Sequence, residues 1–285
     1  MIDPHVDNPK SPKYYIKRYL YRNRDILKGK IVLDIPAGNG TATEMLLKLG
    51  CRVEPLDLFP EYFLPKAVEC RRANIAEKIP VNDSYADCVL CQEGIEHFSD
   101  QLKAFREFNR VLKRGGRLIV TTPSYSNLKA KLSYLLFETE YCNKLMPPNE
   151  IDSIWMSDKS ITDEIYFGHI FLIGIQKLRL LAKLAGFKIA EVNFMRLNKT
   201  SLVFFPLLYP FILVSSYFTY WRWMRKNKNV PGEIKKRVYK EQLAVNINPK
   251  ILLDEHLFVV FEKVDELDQI AFNMKSLFKP FKTIM

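Results

Sequence analysis

Hydrophobic positions fall into short apolar runs separated by stretches with helical spacing, an alternation that predicts a parallel sheet covered by helices. The first run, Ile31-Val32-Leu33, ends in Asp34. A turn with Gly38 and Gly40 follows, then a helix expected over 41–49 that Gly50 closes. A second run over 51–57 ends in Asp57, and Pro55 inside it predicts a bulge or an early strand end. A third strand is expected over 70–75, a fourth over 86–92 and a fifth from Arg117 to Thr121, closed by Pro123. Leu102, Phe105, Phe108 and Val111 recur every three residues, the apolar face of a helix expected to end at Gly115-Gly116. Helix is expected again over 175–185, stopped by Gly186, then a sixth strand over 187–194 and a seventh over 256–264. Ahead of these, Pro4, Pro9 and Pro12 break residues 1–12 into a mobile arm. Residues 14–27 read as a basic helix whose Tyr14 or Tyr15 could close over a bound ligand.

Apolar residues make up 48% of the chain, enough for a sizeable core, which excludes a disordered protein. The net charge of +11 points to an anionic partner: nucleic acid, acidic lipid or an acidic substrate. Five cysteines, an odd number without a disulfide-framework spacing, fit a reduced cytoplasmic protein. Cys88 and Cys91 lie in an apolar run and read as buried strand thiols rather than a metal or redox pair. The opening residues, Met1-Ile2-Asp3-Pro4, do not read as a signal peptide.

Candidate chemistry sits at the strand ends. Gly38 and Gly40 let the backbone pass close to a ligand, beside the free N–H groups of a helix N-terminus. Asp57 suits a ribose diol, a logic shared with dinucleotide folds. The run Asp34-Ile35-Pro36-Ala37-Gly38-Asn39-Gly40 resembles the first motif of class I S-adenosylmethionine-dependent methyltransferases, with Pro36 where the first glycine normally stands. The block Gln92-Glu93-Gly94-Ile95-Glu96-His97, with Arg110-Val111-Leu112-Lys113-Arg114-Gly115-Gly116 after it, resembles the fourth- and fifth-strand region of the same family. The type is the broad one that includes quinone-biosynthesis O-methyltransferases. The resemblance covers 31–125, 169–196 and 255–264. It implies an α/β fold, a seven-stranded, mostly parallel Rossmann-like sheet with helices on both faces, and S-adenosyl-L-methionine as cofactor. Carried onto this chain, Asp34, Pro36, Gly38 and Gly40 would line the amino-acid end of the cofactor and Asp57 its ribose. Leu58 and Phe59 would take the adenine face, Asn74 and Ile75 the adenine edge, and Gln92 the methionine end.

An oxygen acceptor needs its proton removed by a group titrating near neutrality, and His97 and His169 are the candidates. Glu93, Glu96, His97 and His169 also resemble the two-glutamate, two-histidine magnesium site of small-RNA 3′-terminal methyltransferases. Glu93 and Glu96, three apart, would share one face of a helical turn. The glutamate–histidine pair also occurs in metal-free relatives, and no metal is assigned.

One segment sets the chain apart from the family pattern. Between the sixth and seventh strands, residues 200–221 are 22 in a row without charge, long enough to cross a bilayer. Both flanking strands belong to one sheet, however, so both ends return to the same side, which a single crossing forbids. Twenty-two residues are too few for two crossings, and Pro206 and Pro210 would kink the segment. The expectation is an apolar helix pair lying in a membrane face, or a hydrophobic lid buried by the protein or by a homodimer partner. Tyr217, Tyr220, Trp221 and Trp223, with eight basic residues against one acid over 222–240, favour the membrane. Basic residues beside an apolar segment, rather than along a groove of stacking aromatics, weigh against nucleic acid.

The chain therefore reads as one domain over 1–285. Its core spans 13–196 and 251–264, with 124–168 a substrate lid, 197–250 a membrane-associating or lid insertion, and 265–285 an amphipathic tail carrying Met274, Leu277 and Phe278. The expected function is methyl transfer to an oxygen on a lipid, a lipid-linked saccharide or a prenylated ring, peripherally on the cytoplasmic membrane face. The alternatives are an RNA methyltransferase with a Glu/His metal site and a non-catalytic membrane adaptor with a decayed cofactor site, the latter suggested by Pro36.

Overall fold

The structure is a computed structural model that describes residues 3–75, 77–139, 147, 149–156, 166–226, 228 and 230–270. Cys142, one of the five cysteines, and the expected amphipathic tail from Ala271 onward lie outside the described residues. In chain order the strands are β1 (Ile31–Asp34), β2 (Arg52–Asp57), β3 (Arg71–Arg72), β4 (Ala86–Gln92), β5 (Leu112–Pro123), β6 (Ile154–Met156), β7 (Tyr166–Phe167), β8 (Phe187–Asn193) and β9 (His256–Lys263). The helices are α1 (Pro12–Arg22), α2 (Arg24–Leu27), α3 (Thr41–Lys48), α4 (Gln101–Val111), α5 (Leu128–Phe137), α6 (Glu150–Ser153), α7 (Ile175–Leu184), α8 (Lys199–Arg225), α9 (Gly232–Asn246) and α10 (Pro249–Leu253).

Seven strands form one sheet in the order β3-β2-β1-β4-β5-β9-β8, in which β9 alone runs against the others. The chain winds outward from β1 to β3, then crosses back to β4. The carboxyl ends of β1 and β4 therefore flank a switch point, where such sheets leave a crevice. Side chains alternate between two cores, as a sheet covered on both faces requires. Leu33, Val89, Val120, Val259 and Phe261 pack under α4 and α7, while Val32, Cys88, Leu90, Ile119, Phe258 and Val260 pack under α1 and α3. In the first core, Phe105 of α4 meets Phe108, Phe187 and Phe261 edge to face, an arrangement that aromatic quadrupoles favour. Buried Asn109 Nδ2 donates to the carbonyls of Ala185 and Asp265 at 2.8 and 2.9 Å, fastening α4 to the ends of α7 and β9. Cys88 and Cys91 are buried in opposite cores, and burial pushes the Cys88 thiol up to about 12.

Several local expectations need correction. The prolines do not keep 1–12 free of regular structure: a 3-10 turn runs over Pro4–Asp7 with Val6 buried, Pro12 opens α1, and the helix expected over 14–27 breaks at Asn23 between α1 and α2. The helix over 101–111 ends at Val111, because Leu112 is already extended and paired with Ala86. Gly115, at φ +75°, then turns the chain within β5 before Arg117 pairs with Cys88. Pro55 causes neither a bulge nor an early end. The Arg52 N–H bonds to the Lys30 carbonyl just ahead of β1, so by alternation the nitrogen of Pro55 faces the β3 side, where β3 pairs only with Leu56 and Asp57. The third strand shrinks to Arg71–Arg72. Pro206 and Pro210 do not split α8, which runs on for 27 residues. Both are exposed and one turn apart, so the carbonyls they deprive of a donor lie on the outer face.

The segment between β8 and β9 is a helical hairpin with a closed base. Asn198 N–H donates to the Leu253 carbonyl at 2.8 Å, and Leu197 bridges Asp254, so the two ends sit side by side. The Asp254 carboxylate accepts N–H bonds from Met195, Arg196 and His256 at 2.6, 3.0 and 3.2 Å, which ties the end of β8 to the start of β9. α9 lies back along the second half of α8. Tyr209 Oη donates to the Ile247 carbonyl at 3.1 Å, Asn246 Nδ2 to Ser216 Oγ at 2.8 Å, and Lys235 Nζ to the Met224 carbonyl at 2.9 Å.

Candidate active site

The site is built where β1, β2 and β4 end. Asp34 closes β1 fully buried, its Oδ2 accepting the Thr43 hydroxyl at 2.6 Å; burial pushes its carboxyl up to about 7. Beyond it, Gly38 and Gly40 take left-handed φ values of +53° and +80°, which glycine adopts without strain. A Cβ on Gly38 would meet nothing within 4 Å, so open space lies over that part of the turn. One on Gly40 would come within 2.5 Å of Pro65 Cγ and 2.7 Å of Phe63 Cε2. Pro36 packs its ring against Gly94, where a Cβ would fall 2.7 Å from Pro36 Cγ. The residue that departs from the family pattern thus joins the glycine turn to the segment after β4.

Asp57 ends β2 with both oxygens engaged. Oδ2 accepts the Gly38 N–H at 2.7 Å and Oδ1 the Phe59 N–H at 2.8 Å. Leu58 is half-buried and Phe59 buried. The Ala73 N–H donates to the Asp57 carbonyl at 2.7 Å, bringing half-buried Asn74 and buried Ile75 to the same edge. Gln92, half-buried, ends β4 opposite Thr121. The sequence-predicted residues therefore lie side by side at the carboxyl ends of β1, β2 and β4.

The second group lies after β4. Glu93 adopts a left-handed φ of +47°, and a 3-10 turn follows over Ile95–His97. Glu93 and Glu96 consequently do not share a helical face, and the expected four-residue cluster divides. Glu96, His97 and His169 each offer an atom within 4.8 Å of the others, and the two imidazole rings lie 5.4 Å apart. Gln101 holds the segments together, its Nε2 donating to the Ile95 carbonyl at 3.0 Å and the Phe171 carbonyl at 2.6 Å. Glu96 is completely buried; burial, and then the nearby Glu93 charge, push its carboxyl well above the usual range.

Glu93 turns instead to His256, 3.4 Å from Oε2 to Nε2. Burial acts to lower the His256 value, but Glu93 outweighs it and holds it above the ordinary 6.5. Sequence reasoning missed His256. Its one signal was a histidine opening an antiparallel strand, which puts it at the carboxyl edge of the parallel ones.

Comparison with known proteins agrees with this geometry. Residues 33–120 match the model of a family described as methyltransferase domain. The strand order and that match together identify residues 33–120 as a methyltransferase domain on a sheet of the class I S-adenosylmethionine-dependent type, a family whose cofactor is S-adenosyl-L-methionine. A ubiquinone biosynthesis O-methyltransferase from Xanthomonas oryzae pv. oryzae is 28% identical over 155 residues, covering 50% of this chain and 64% of that protein. Its counterpart from Xanthomonas campestris pv. campestris is 29% identical over 133 residues, covering 44% and 55%. The chain thus spans less than two thirds of the length of these curated relatives. Among solved structures, a SAM dependent methyltransferase from Archaeoglobus fulgidus superposes with a TM-score of 0.51 at 14% identity, over 90% of this chain and 97% of that one. The YcgJ protein from Bacillus subtilis gives 0.51 at 13%, over 88% and 99%. Both show the fold alone.

The buried carboxyls make stability depend on pH. Burial raises Asp34 to about 7 and Asp254 to about 6, so between their unfolded values and these the folded chain binds more protons than the unfolded one. Stability then falls as pH rises. His256, also raised, adds stability at acid pH that is lost as pH climbs through its folded value. The ligand-free chain is expected to melt about 5 °C higher at pH 5 than at pH 8. Asp34→Asn, which keeps an acceptor for Thr43, should flatten part of that slope in a thermal-shift series. A melting temperature that rises toward pH 8 would contradict these assignments.

Proposed function

We propose that this chain transfers a methyl group from S-adenosylmethionine to an oxygen on a lipid, a lipid-linked saccharide or a prenylated ring, at the cytoplasmic membrane face. In this reading 1–285 act as one domain, with 124–168 as the substrate lid and 197–250 as the membrane-facing insertion. The observation that carries it is the outer face of α8. Val203, Leu207, Phe211, Val214, Phe218 and Trp221, spaced at three and four, are exposed in one stripe along the helix. Leu135, Leu136 and Phe137 of α5, which packs against α8, are exposed as well. So large an apolar surface calls for a partner. Charge favours an anionic leaflet, since Arg222, Arg225, Lys226, Lys236, Arg237 and Lys240 surround the hairpin tip and are exposed.

At about 1.5 Å per residue α8 is about 40 Å long, against about 30 Å of hydrocarbon, so length alone permits a crossing. Its partner opposes one, because α9 carries Lys235, Lys236, Arg237 and Lys240 alongside the second half of α8. Those charges cannot enter hydrocarbon cheaply. An in-plane hairpin satisfies both helices, with its base joined to β8 and β9 at the catalytic edge. The O-methyltransferase names of the curated relatives support oxygen as the acceptor.

Bound in the crevice, the cofactor supplies an electrophilic methyl for in-line displacement. The chain's own contribution is position, worth up to about 7–11 kcal/mol in such reactions. Gly38 and Gly40 let the backbone approach the amino-acid end, Asp34 supports their turn through Thr43, and Pro36 braces it against Gly94. Asp57 orients the ribose, Leu58 and Phe59 bound the adenine face, Asn74 and Ile75 its edge, and Gln92 closes the methionine end. His97 and His169 take the acceptor's proton.

A liposome sedimentation assay tests the membrane reading. The wild type should bind phosphatidylglycerol vesicles and be only partly released by salt. Val203→Ser, Leu207→Ser, Phe211→Ser and Val214→Ser combined should abolish binding and leave cofactor affinity unchanged. Failure of the wild type to bind would favour a homodimer or lid contact for this face.

The Glu96–His97–His169 cluster supports a second reading, in which a divalent cation is held there as in small-RNA methyltransferases. Carboxylate and imidazole donors fit Mg²⁺ or Mn²⁺. With His97 and His169 as proton acceptors, activity should survive EDTA. Loss with EDTA and recovery with Mg²⁺ or Mn²⁺ would make them ligands instead.

A further inference from the structure

The arm ahead of α1 crosses the mouth of the glycine turn. A 3-10 turn over Pro4–Asp7 buries Val6 in the core beneath α1 and α3, and Asp3 caps it, Oδ1 accepting the His5 N–H at 2.9 Å. The other oxygen serves a different purpose. Asp3 Oδ2 receives Lys13 Nζ at 2.5 Å and Asn39 Nδ2 at 3.3 Å, with 11% of the side chain exposed; Thr41 Oγ1 lies 3.3 Å away and gives its proton chiefly to Asn39 Oδ1 at 2.7 Å. Asn39 lies between the two glycines of the turn and Thr41 opens α3. The carboxylate therefore also sits at the positive end of that helix. Burial acts against its charge, but the Lys13 ammonium and the His5 amide hold the Asp3 carboxyl well below the usual range.

An ammonium and a side-chain amide gathered at the glycine turn, with the Thr41 hydroxyl beside them free to re-aim its proton from Asn39, suit a carboxylate, and the amino-acid end of S-adenosylmethionine carries one. We propose that Asp3 is a built-in occupant of an anion subsite formed by Lys13, Asn39 and Thr41, which it must vacate before the cofactor carboxylate can bind. The arm then acts as a competitive gate on cofactor entry. Apparent affinity falls by the fraction of time the subsite is free. Ligands without a carboxylate escape this penalty, because they need no displacement of Asp3. The inference rests on the cofactor reading above and adds to it a competitor within the same chain.

Calorimetry on the full chain separates the possibilities, with S-adenosylhomocysteine and 5′-methylthioadenosine as probes, the latter lacking the amino-acid end. Asp3→Asn should bind S-adenosylhomocysteine about fivefold tighter or better and leave 5′-methylthioadenosine within about twofold. Lys13→Met should weaken S-adenosylhomocysteine alone. An Asp3→Asn affinity that is unchanged or weaker would overturn the gate, as would equal tightening for both probes, which would mean general opening. Unaltered S-adenosylhomocysteine binding by Lys13→Met would overturn the subsite. Failure of the wild type and both variants to bind either probe would overturn the cofactor reading beneath it.

Discussion

The hydrogen bond from the Gly38 amide to the Asp57 carboxylate, 2.7 Å long, is the contact on which the crevice depends. It joins the turn after β1 to the end of β2, and the second Asp57 oxygen holds Phe59 in the next loop. A charged acceptor with two amide donors contributes roughly 1.5–3 kcal/mol per bond. It also fixes both walls of the crevice before any ligand arrives. Pro36 against Gly94 does the same between the turn and the segment after β4. Through that segment the constraint reaches Glu93, His256 and the base of the α8–α9 hairpin. The glycine turn, the Glu93–His256 pair and the insertion are thus consecutive stations along one edge of the sheet.

Concentrating carboxyls at that edge has an electrostatic consequence. Asp34, Glu96 and Asp254 are all buried and all raised, while Asp3 is held charged by Lys13. Buried acids of this kind cost folding free energy near neutral pH, which a domain tolerates where function calls for them. The exposed stripe of α8 is a second such cost, since an apolar face in water lowers solubility. Both costs fall outside the sheet interior, where packing is conventional.

Much of this was legible in the sequence. The strands β1, β2, β4, β5 and β9 were marked by apolar runs because their central residues are buried on both faces, and the half-exposed edge strand β8 by the helix stop at Gly186 before it; the residues at the strand ends followed from where those runs stop. What escaped depended on pairing between distant segments. Nothing local says that Leu112 is claimed by Ala86, so the helix over 101–111 was expected to run to Gly115-Gly116. The division of Glu93 from Glu96 rests on a left-handed residue and on a histidine delivered by β9, 163 positions away. In residues 200–221 nearly every position is apolar, so no face could be assigned. Packing by α5 and α10 along the first half of α8, and by α9 along the second, is what leaves Val203, Leu207 and Phe211 outward.

The central claim is that the crevice binds S-adenosylmethionine through Asp57 rather than surviving as the relic of an adaptor. Titration calorimetry with S-adenosylhomocysteine on the wild type and on Asp57→Ala tests it most directly. The account predicts clear binding by the wild type and a loss of more than about tenfold in the folded variant. No heat of binding in the wild type, or equal affinity in both, would contradict it.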